Sequence, residues 1–253
     1  MPATVLAAVL CAAFLHAAWN AAVKAESDKL LASMAVSTGA ALLGALAALL
    51  LPAPASASWP FIAASTGLHI VYYLLLARSY GQADISLAYP LMRGCAPVLV
   101  ALASAWTEPL HALQLLAVVP ALLTAVVIAA YTLVDGLGVR RSGAPASYTA
   151  WLFLCSGIAV LLACRYRLGG RLPGFLKTKP QLALLGGVAT GGSYAIVLWA
   201  MTQAPVAVVA ALRETSIVFA VAIAAWVLRE RVGRARVLGA LLIAGGAATL
   251  RLA

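Results

Sequence analysis

Charge is what this chain has least of. Only 9% of its 253 residues are Asp, Glu, Lys or Arg, and just seven of them are acidic. A soluble domain carries roughly 25% charge, because a water-facing surface needs it. The shortage excludes a soluble enzyme, a soluble nucleic-acid-binding module and a disordered chain. Cysteine patterning is missing too. Cys11, Cys95, Cys155 and Cys164 all fall inside apolar runs, with no CxxC or Cys/His spacing, so neither a metal site nor a disulfide framework is expected. They read as small buried hydrophobes. No Lys or Arg precedes the first apolar run, so a signal-peptide n-region is lacking and that run is expected to remain as a first helix. No glycine-rich loop leads into a basic residue in the P-loop manner.

What is there is apolar. Hydrophobic residues make up 64% of the chain and its mean hydropathy is +1.03. This is the composition of an all-α polytopic membrane protein. The net charge of +10 sits in short clusters between apolar runs. Basic residues in such places face cytoplasm and anionic lipid, so no nucleic-acid partner is expected. A spanning helix needs about 20 mostly apolar residues to cross about 30 Å of hydrocarbon. Nine segments meet or approach that length: 3–23, 30–51, 60–79, 85–106, 110–134, 147–164, 181–201, 206–228 and 237–252. The runs are continuously apolar rather than alternating, which favours helices over a barrel. The connections between them are too brief to hold a soluble domain.

The positive charges pose a question of parity. With nine crossings, Arg165, Arg167, Arg171, Lys177, Lys179, Arg229, Arg231, Arg234 and Arg236 share one side, nine in all, against six on the other: Lys24, Lys29, Arg78, Arg140, Arg141 and Arg251. One more crossing just before residue 110 moves Lys24, Lys29 and Arg78 across, giving twelve against three. The asymmetry of basic residues that orients membrane proteins therefore fits an even number of crossings better than nine.

An internal repeat is also visible. At an offset of 120, Arg93 falls on Arg213, Val98 on Val218 and Trp106 on Trp226; at 121, Tyr73 falls on Tyr194 and Gln82-Ala83 on Gln203-Ala204. A weaker match sets Ala17-Ala18-Trp19 on Ala129-Ala130-Tyr131. Two related helix sets are the hallmark of a transporter whose substrate site lies at the repeat interface near the midplane.

Three stretches carry a family resemblance: HAAWNAAVKA at 16–25, YYLLLARSYGQADISLAYPLMRGCAPVLVALASAW at 72–106 and ETSIVFAVAIAAWVLRERVGRARVLGALLIAGG at 214–246. They resemble the EamA-type members of the drug/metabolite transporter superfamily, over nearly the whole chain. The resemblance implies an inverted repeat of helices, a carrier for small metabolites and a direction that is often outward. Nine spans are visible where such proteins have ten. After Glu108, residues 114–120 run directly into a segment that looks like the family's sixth helix, so about one helix is missing after the fourth. The division expected is a first membrane repeat of four helices over 1–109 and a second of five over 110–253.

Arg93 and Arg213 are the strongest candidates for a substrate site. An arginine at the bilayer centre costs roughly 2.5–3.5 kcal/mol on insertion scales, so each should face a polar cavity or a partner. Guanidinium groups bind carboxylates in bidentate fashion. A structural ion pair or a carbonyl clamp is the competing reading. Glu214 follows Arg213 but points about 100° away on a helix, an orientation that allows pairing with Arg93. A carboxyl group at that depth also suits proton coupling. Trp19 and Asn20 close the first helix. Tyr131 and Asp135 stand similarly on 110–134, and Asp135 is the second proton-coupling candidate. Tyr73 and Tyr194, with Tyr72, add hydroxyl-bearing rings suited to a pocket for a small organic ligand.

Several other residues carry weaker signals. His69 lies within a span, as a proton relay or a core histidine. Trp59, Trp106 and Trp226 read as an interfacial belt. Glycines at 186–187, 191–192 and 245–246 are expected to permit close helix approach. Pro90 and Pro97, flanking Arg93, mark either a gate or a static kink.

The expectation is an inner-membrane, multi-pass carrier for a small polar or anionic metabolite, amino-acid-like or an organic acid. It would export by alternating access, with membrane lipid and protons as partners and no cofactor, metal or catalytic residue. The alternative is a non-transporting structural or regulatory membrane subunit.

Overall fold

The structure, a computed structural model, describes residues 1–82, 89, 92, 112–230, 232, 233, 237–241 and 245. Among them every regular element is helical. We number the helices α1 (Ala3–Ala25), α2 (Lys29–Leu50), α3 (Trp59–Gln82), α4 (Ala112–Ser142), α5 (Pro145–Leu168), α6 (Arg171–Thr178), α7 (Pro180–Gln203), α8 (Val206–Arg213) and α9 (Ser216–Trp226). Their limits follow from local chemistry. Asp28 caps α2 by accepting a hydrogen bond from the Leu31 amide at 3.0 Å. Pro145 and Pro180 open α5 and α7, where a missing N–H costs nothing. Gly169 and Gly170, at φ of 53° and 73°, turn the chain from α5 into the short α6.

Seven stretches are long and apolar enough to cross a membrane: α1, α2, α3 with the turn before it, α4, α5, α7, and α8 with α9. The expected spans 85–106 and 237–252 lie largely outside the described residues. One limit differs instructively from the sequence expectation. Hydropathy falls at Asp135, which sets the end of the expected run at 134, yet α4 continues through Arg140 and Arg141 to Ser142. Asp135 is thus inside a spanning helix, not at its end.

The directions of the described helices bear on the question of parity. The Ala55 amide, between α2 and α3, donates to the Ser142 carbonyl at 3.2 Å. The start of α3 and the end of α4 therefore share one face, and the two helices pack antiparallel along their length. At the other face, Arg171 pairs with Asp28 at 2.9 Å and Lys179 with Glu26 at 3.0 Å. These pairs tie the α1–α2 turn to the α5–α7 connection. On this second, basic face stand Lys24, Lys29, Arg78, Arg165, Arg167, Arg171, Lys177, Lys179 and Arg229; the first holds Arg140 and Arg141. Among the described residues that is nine against two, with Lys24, Lys29 and Arg78 beside Arg165 and its neighbours, as the even-numbered sorting requires. It also makes α4 run opposite to α1, α5 opposite to α2 and α7 opposite to α3. The pairings match: α1 lies on α7 as α4 lies on α3, and α2 meets α5.

Between helices in lipid there is no hydrophobic drive, so association rests on close packing. A Cβ added at Gly187 would stand 2.6 Å from the Gly39 carbonyl carbon and 2.7 Å from the Ala40 nitrogen, so α2 and α7 touch backbone to backbone. Gly186 meets Val36 in the same crossing. The expectation of close approach thus applies at 186–187; at Gly191, Gly192 and Gly245 a Cβ would meet nothing within 4 Å among the described residues. Outward-facing leucines such as Leu42, Leu46, Leu49 and Leu50 make the lipid-facing surface. Among the cysteines, Cys164 is buried but Cys11 faces outward, since lipid is as apolar an environment as the core.

Candidate functional site

The membrane stretch from 206 to 226 is not one helix. Around residues 211–218 its hydrogen bonds shorten from i−4 to i−3: Glu214 to Ala211, Thr215 to Leu212, Ile217 to Glu214 and Val218 to Thr215, all at 3.0–3.1 Å. Arg213 ends α8 at this break. A stretch of 3-10 geometry within a helix marks a hinge or a functional site, and broken helices in membranes occur where they face protein or a cavity.

Arg213 is only 2% exposed. One guanidinium nitrogen, Nη2, donates to the Thr132 hydroxyl of α4 at 3.0 Å. Nε and Nη1 are buried with no hydrogen-bond partner among the described residues. Such donors are expensive to leave unpaired away from water. Glu214, half-buried, caps the end of α8. Arg93, its expected counterpart, lies outside the described residues, as do Pro90 and Pro97.

One turn beyond Thr132 on α4 is Asp135, with 0% exposure. Three hydroxyls from three helices converge on its carboxylate. Ser65 of α3 and Tyr194 of α7 donate to Oδ2 at 2.8 and 2.6 Å, and Tyr148 of α5 donates to Oδ1 at 2.8 Å. Tyr148 reaches this point across Gly138, where any Cβ would collide with its hydroxyl and with Phe61. Asp135 therefore joins α3, α4, α5 and α7.

An aromatic wall stands beside the carboxylate. The His69 ring stacks on Tyr131 with centroids 4.7 Å apart, and Tyr131 meets Tyr72 and Tyr194 edge-on at 5.7 and 5.9 Å. His69 Nδ1 lies 2.9 Å from the Ser65 carbonyl and 3.2 Å from its hydroxyl. A carbonyl only accepts, so Nδ1 carries the ring proton. Tyr73 packs edge-on against Tyr72 at 5.2 Å and turns its hydroxyl toward Ser37 and Thr190.

Trp19 and Asn20 belong to a neighbouring group nearer the basic face. The Trp19 indole N–H donates to His16 Nδ1 at 3.4 Å, and Asn20 accepts from the Tyr80 hydroxyl at 2.7 Å. Lys24 donates to the Tyr80 carbonyl at 3.0 Å. A narrow crevice lined by His16, Asn20, Tyr72, Leu76, Tyr89, Met92 and Ile128 runs here. Tyr72 is common to both groups and links them.

The fold thus gathers Arg213, Asp135, Tyr131 and Tyr194 around α4, sets Tyr73 behind them, and holds Trp19 and Asn20 one layer away. Sequence reasoning passed over Thr132, Ser65 and Tyr148. Ser65 had a usable signal, since it lies four residues before His69 on one helical face. Tyr148 had none: near a helix start it reads as an interfacial tyrosine, and its reach to Asp135 depends on α5 crossing α4 at Gly138. Of the tryptophans, Trp226 is outward-facing and Trp59 partly so, edge-on to Trp151 at 5.1 Å; Trp106 is outside the described residues.

Residues 115–252 match the sequence model of the EamA-like transporter family. No curated protein matches the chain.

Proposed function

The chain belongs to the EamA-like transporter family, a multi-pass membrane transporter, and from that premise we propose that it carries a small anionic or zwitterionic metabolite, amino-acid-like or an organic acid. The observation that carries this reading is the sealed Arg213 guanidinium, with two nitrogens lacking partners among the described residues. A carboxylate seated there would complete its hydrogen bonds. Tyr131, Tyr194 and Tyr73 supply the pocket walls, Arg93 the second cation, and Trp19 and Asn20 the approach from the basic face.

Asp135 and Glu214 are the proton-coupling groups of this reading. Asp135 lies one turn along α4 from Thr132, the partner of Arg213, and its three donors come from helices that must move if access alternates. The two repeats, 1–109 and 110–253, rock about the α2–α5 contact, a scheme supported by the opposed directions of α1 and α4, α2 and α5, and α3 and α7. In this reading the basic face looks into the cytoplasm, as positively charged faces do, the protein resides in the inner membrane, and it works as an exporter.

The test is uptake and counterflow of labelled amino acids and organic acids in liposomes containing the purified full-length protein. Charge-assisted hydrogen bonds contribute about 1.5–3 kcal/mol, so Arg213→Ala should weaken transport roughly 10–100-fold in protein that is still folded. Undiminished transport by Arg213→Ala and Arg93→Ala would overturn the assignment.

A further inference from the structure

The basic face holds a cleft that the transport reading does not use. It opens between the start of α2, the end of α3 and the end of α5, and encloses about 750 Å³. Lys29, Arg78 and Arg167 bring positive charge to it, Asp28 brings the one carboxylate, and Leu30, Leu74 and Ala77 form its apolar wall.

We propose that this cleft binds the headgroup of an anionic phospholipid. Asp28 does not neutralise it, because both its oxygens are engaged: Oδ2 by Arg171 at 2.9 Å and Oδ1 by the Leu31 amide at 3.0 Å. Lys29 is turned to the carbonyls of Lys24 and Glu26 at the end of α1, so its charge is present but its donors are used. Arg78 and Arg167 are different. Among the described residues neither guanidinium makes a hydrogen bond or ion pair. Two guanidinium forks at one cleft, uncommitted among the described residues, match the oxygens of a phosphodiester.

The surroundings favour a lipid over a soluble anion. Arg78 lies four residues before the end of α3, about 6 Å along the helix axis, which is headgroup depth. Leu74, one turn deeper, and Leu30 and Ala77 beside it give an acyl chain an apolar path toward the bilayer. Basic pockets between helices on this kind of face are where anionic headgroups gather. A bound headgroup would tie α3 to α2 and α5 where no ion pair among the described residues does so.

The experiment uses the full chain in neutral detergent, with thermal unfolding followed after adding phosphatidylglycerol, phosphatidylcholine or inorganic phosphate. Bound lipid is counted by native mass spectrometry. Phosphatidylglycerol should raise the midpoint by several degrees and phosphatidylcholine should not. Arg78→Ala with Arg167→Ala should lose that rise and retain about tenfold less phosphatidylglycerol. Arg165→Ala with Lys177→Ala removes the same charge from the same face outside the cleft and should keep both. Equal loss in the two double variants would reduce the effect to general surface attraction and overturn the proposal. So would an unchanged rise in the cleft variant, or a rise reproduced by phosphate alone. The lipid count is read on folded protein only, so a merely destabilised variant still reports on binding.

Discussion

Replacing Asp135 tests the centre of the molecule most directly. Its carboxylate accepts from Ser65, Tyr148 and Tyr194 at 2.6–2.8 Å, and Asp135→Ala removes the acceptor from all three. Hydrogen bonds between membrane helices contribute on average about 0.6 kcal/mol and at most about 1.7, so the three together amount to about 2–5 kcal/mol. Asp135→Asn behaves differently. Its oxygen, placed where Oδ2 stood, still accepts from Ser65 and Tyr194. Its amide can donate to the Tyr148 oxygen, but the Tyr148 proton then loses its acceptor, so the loss should be about 1–2 kcal/mol, smaller than for alanine. Reversible unfolding of the protein in bicelles, titrated with a denaturing detergent, measures both. If the alanine variant unfolds like the asparagine variant, with both close to wild type, the hydroxyls have other acceptors. The carboxylate would then not be what joins these helices. Transport separates the second role: Asp135→Asn should fold normally yet lose accumulation driven by an imposed pH gradient, whereas normal gradient-driven accumulation would remove Asp135 from proton coupling.

Three further outcomes follow from the packing. Gly187→Ala should destabilise by about 1–3 kcal/mol, as overpacking does, because its Cβ would stand 2.6 Å from the Gly39 backbone; Gly191→Ala, whose Cβ would meet nothing within 4 Å among the described residues, should leave the thermal midpoint unchanged, and equal midpoints for the two would refute the crossing. Arg140→Ala removes donors to the Met201 and Ala204 carbonyls, both at 2.8 Å, and should cost about 1.5–3 kcal/mol in the same unfolding assay. A reporter fused at the N-terminus that is active only outside the cytoplasm should be active, since α1 begins on the face opposite the basic one; a silent reporter from a well-expressed fusion would reverse the orientation.

Much of the architecture was legible in composition and spacing. Hydropathy locates α1, α2, α3, α5 and α7 within a few residues, because twenty apolar residues in lipid have no option but a helix. The burial of Arg213 was legible too, since a charge in an apolar run stands out and must face a polar partner or cavity. The break at Arg213 was not, because a change from i−4 to i−3 bonding leaves no mark on hydropathy.

Amino-acid order alone determined that this chain is helical, that it crosses a membrane repeatedly, and which helix ends carry basic residues. Only tertiary structure decided which way α4 runs, and with it the sorting of basic residues onto one face. It alone brought Ser65, Tyr148 and Tyr194 onto Asp135. The physical reason is range. Burial in lipid acts on each segment separately and can be summed along the sequence. A hydrogen bond between residues 70 apart exists only once the helices have chosen their neighbours, and that choice is made by glycine contacts and side-chain shape that no single segment contains.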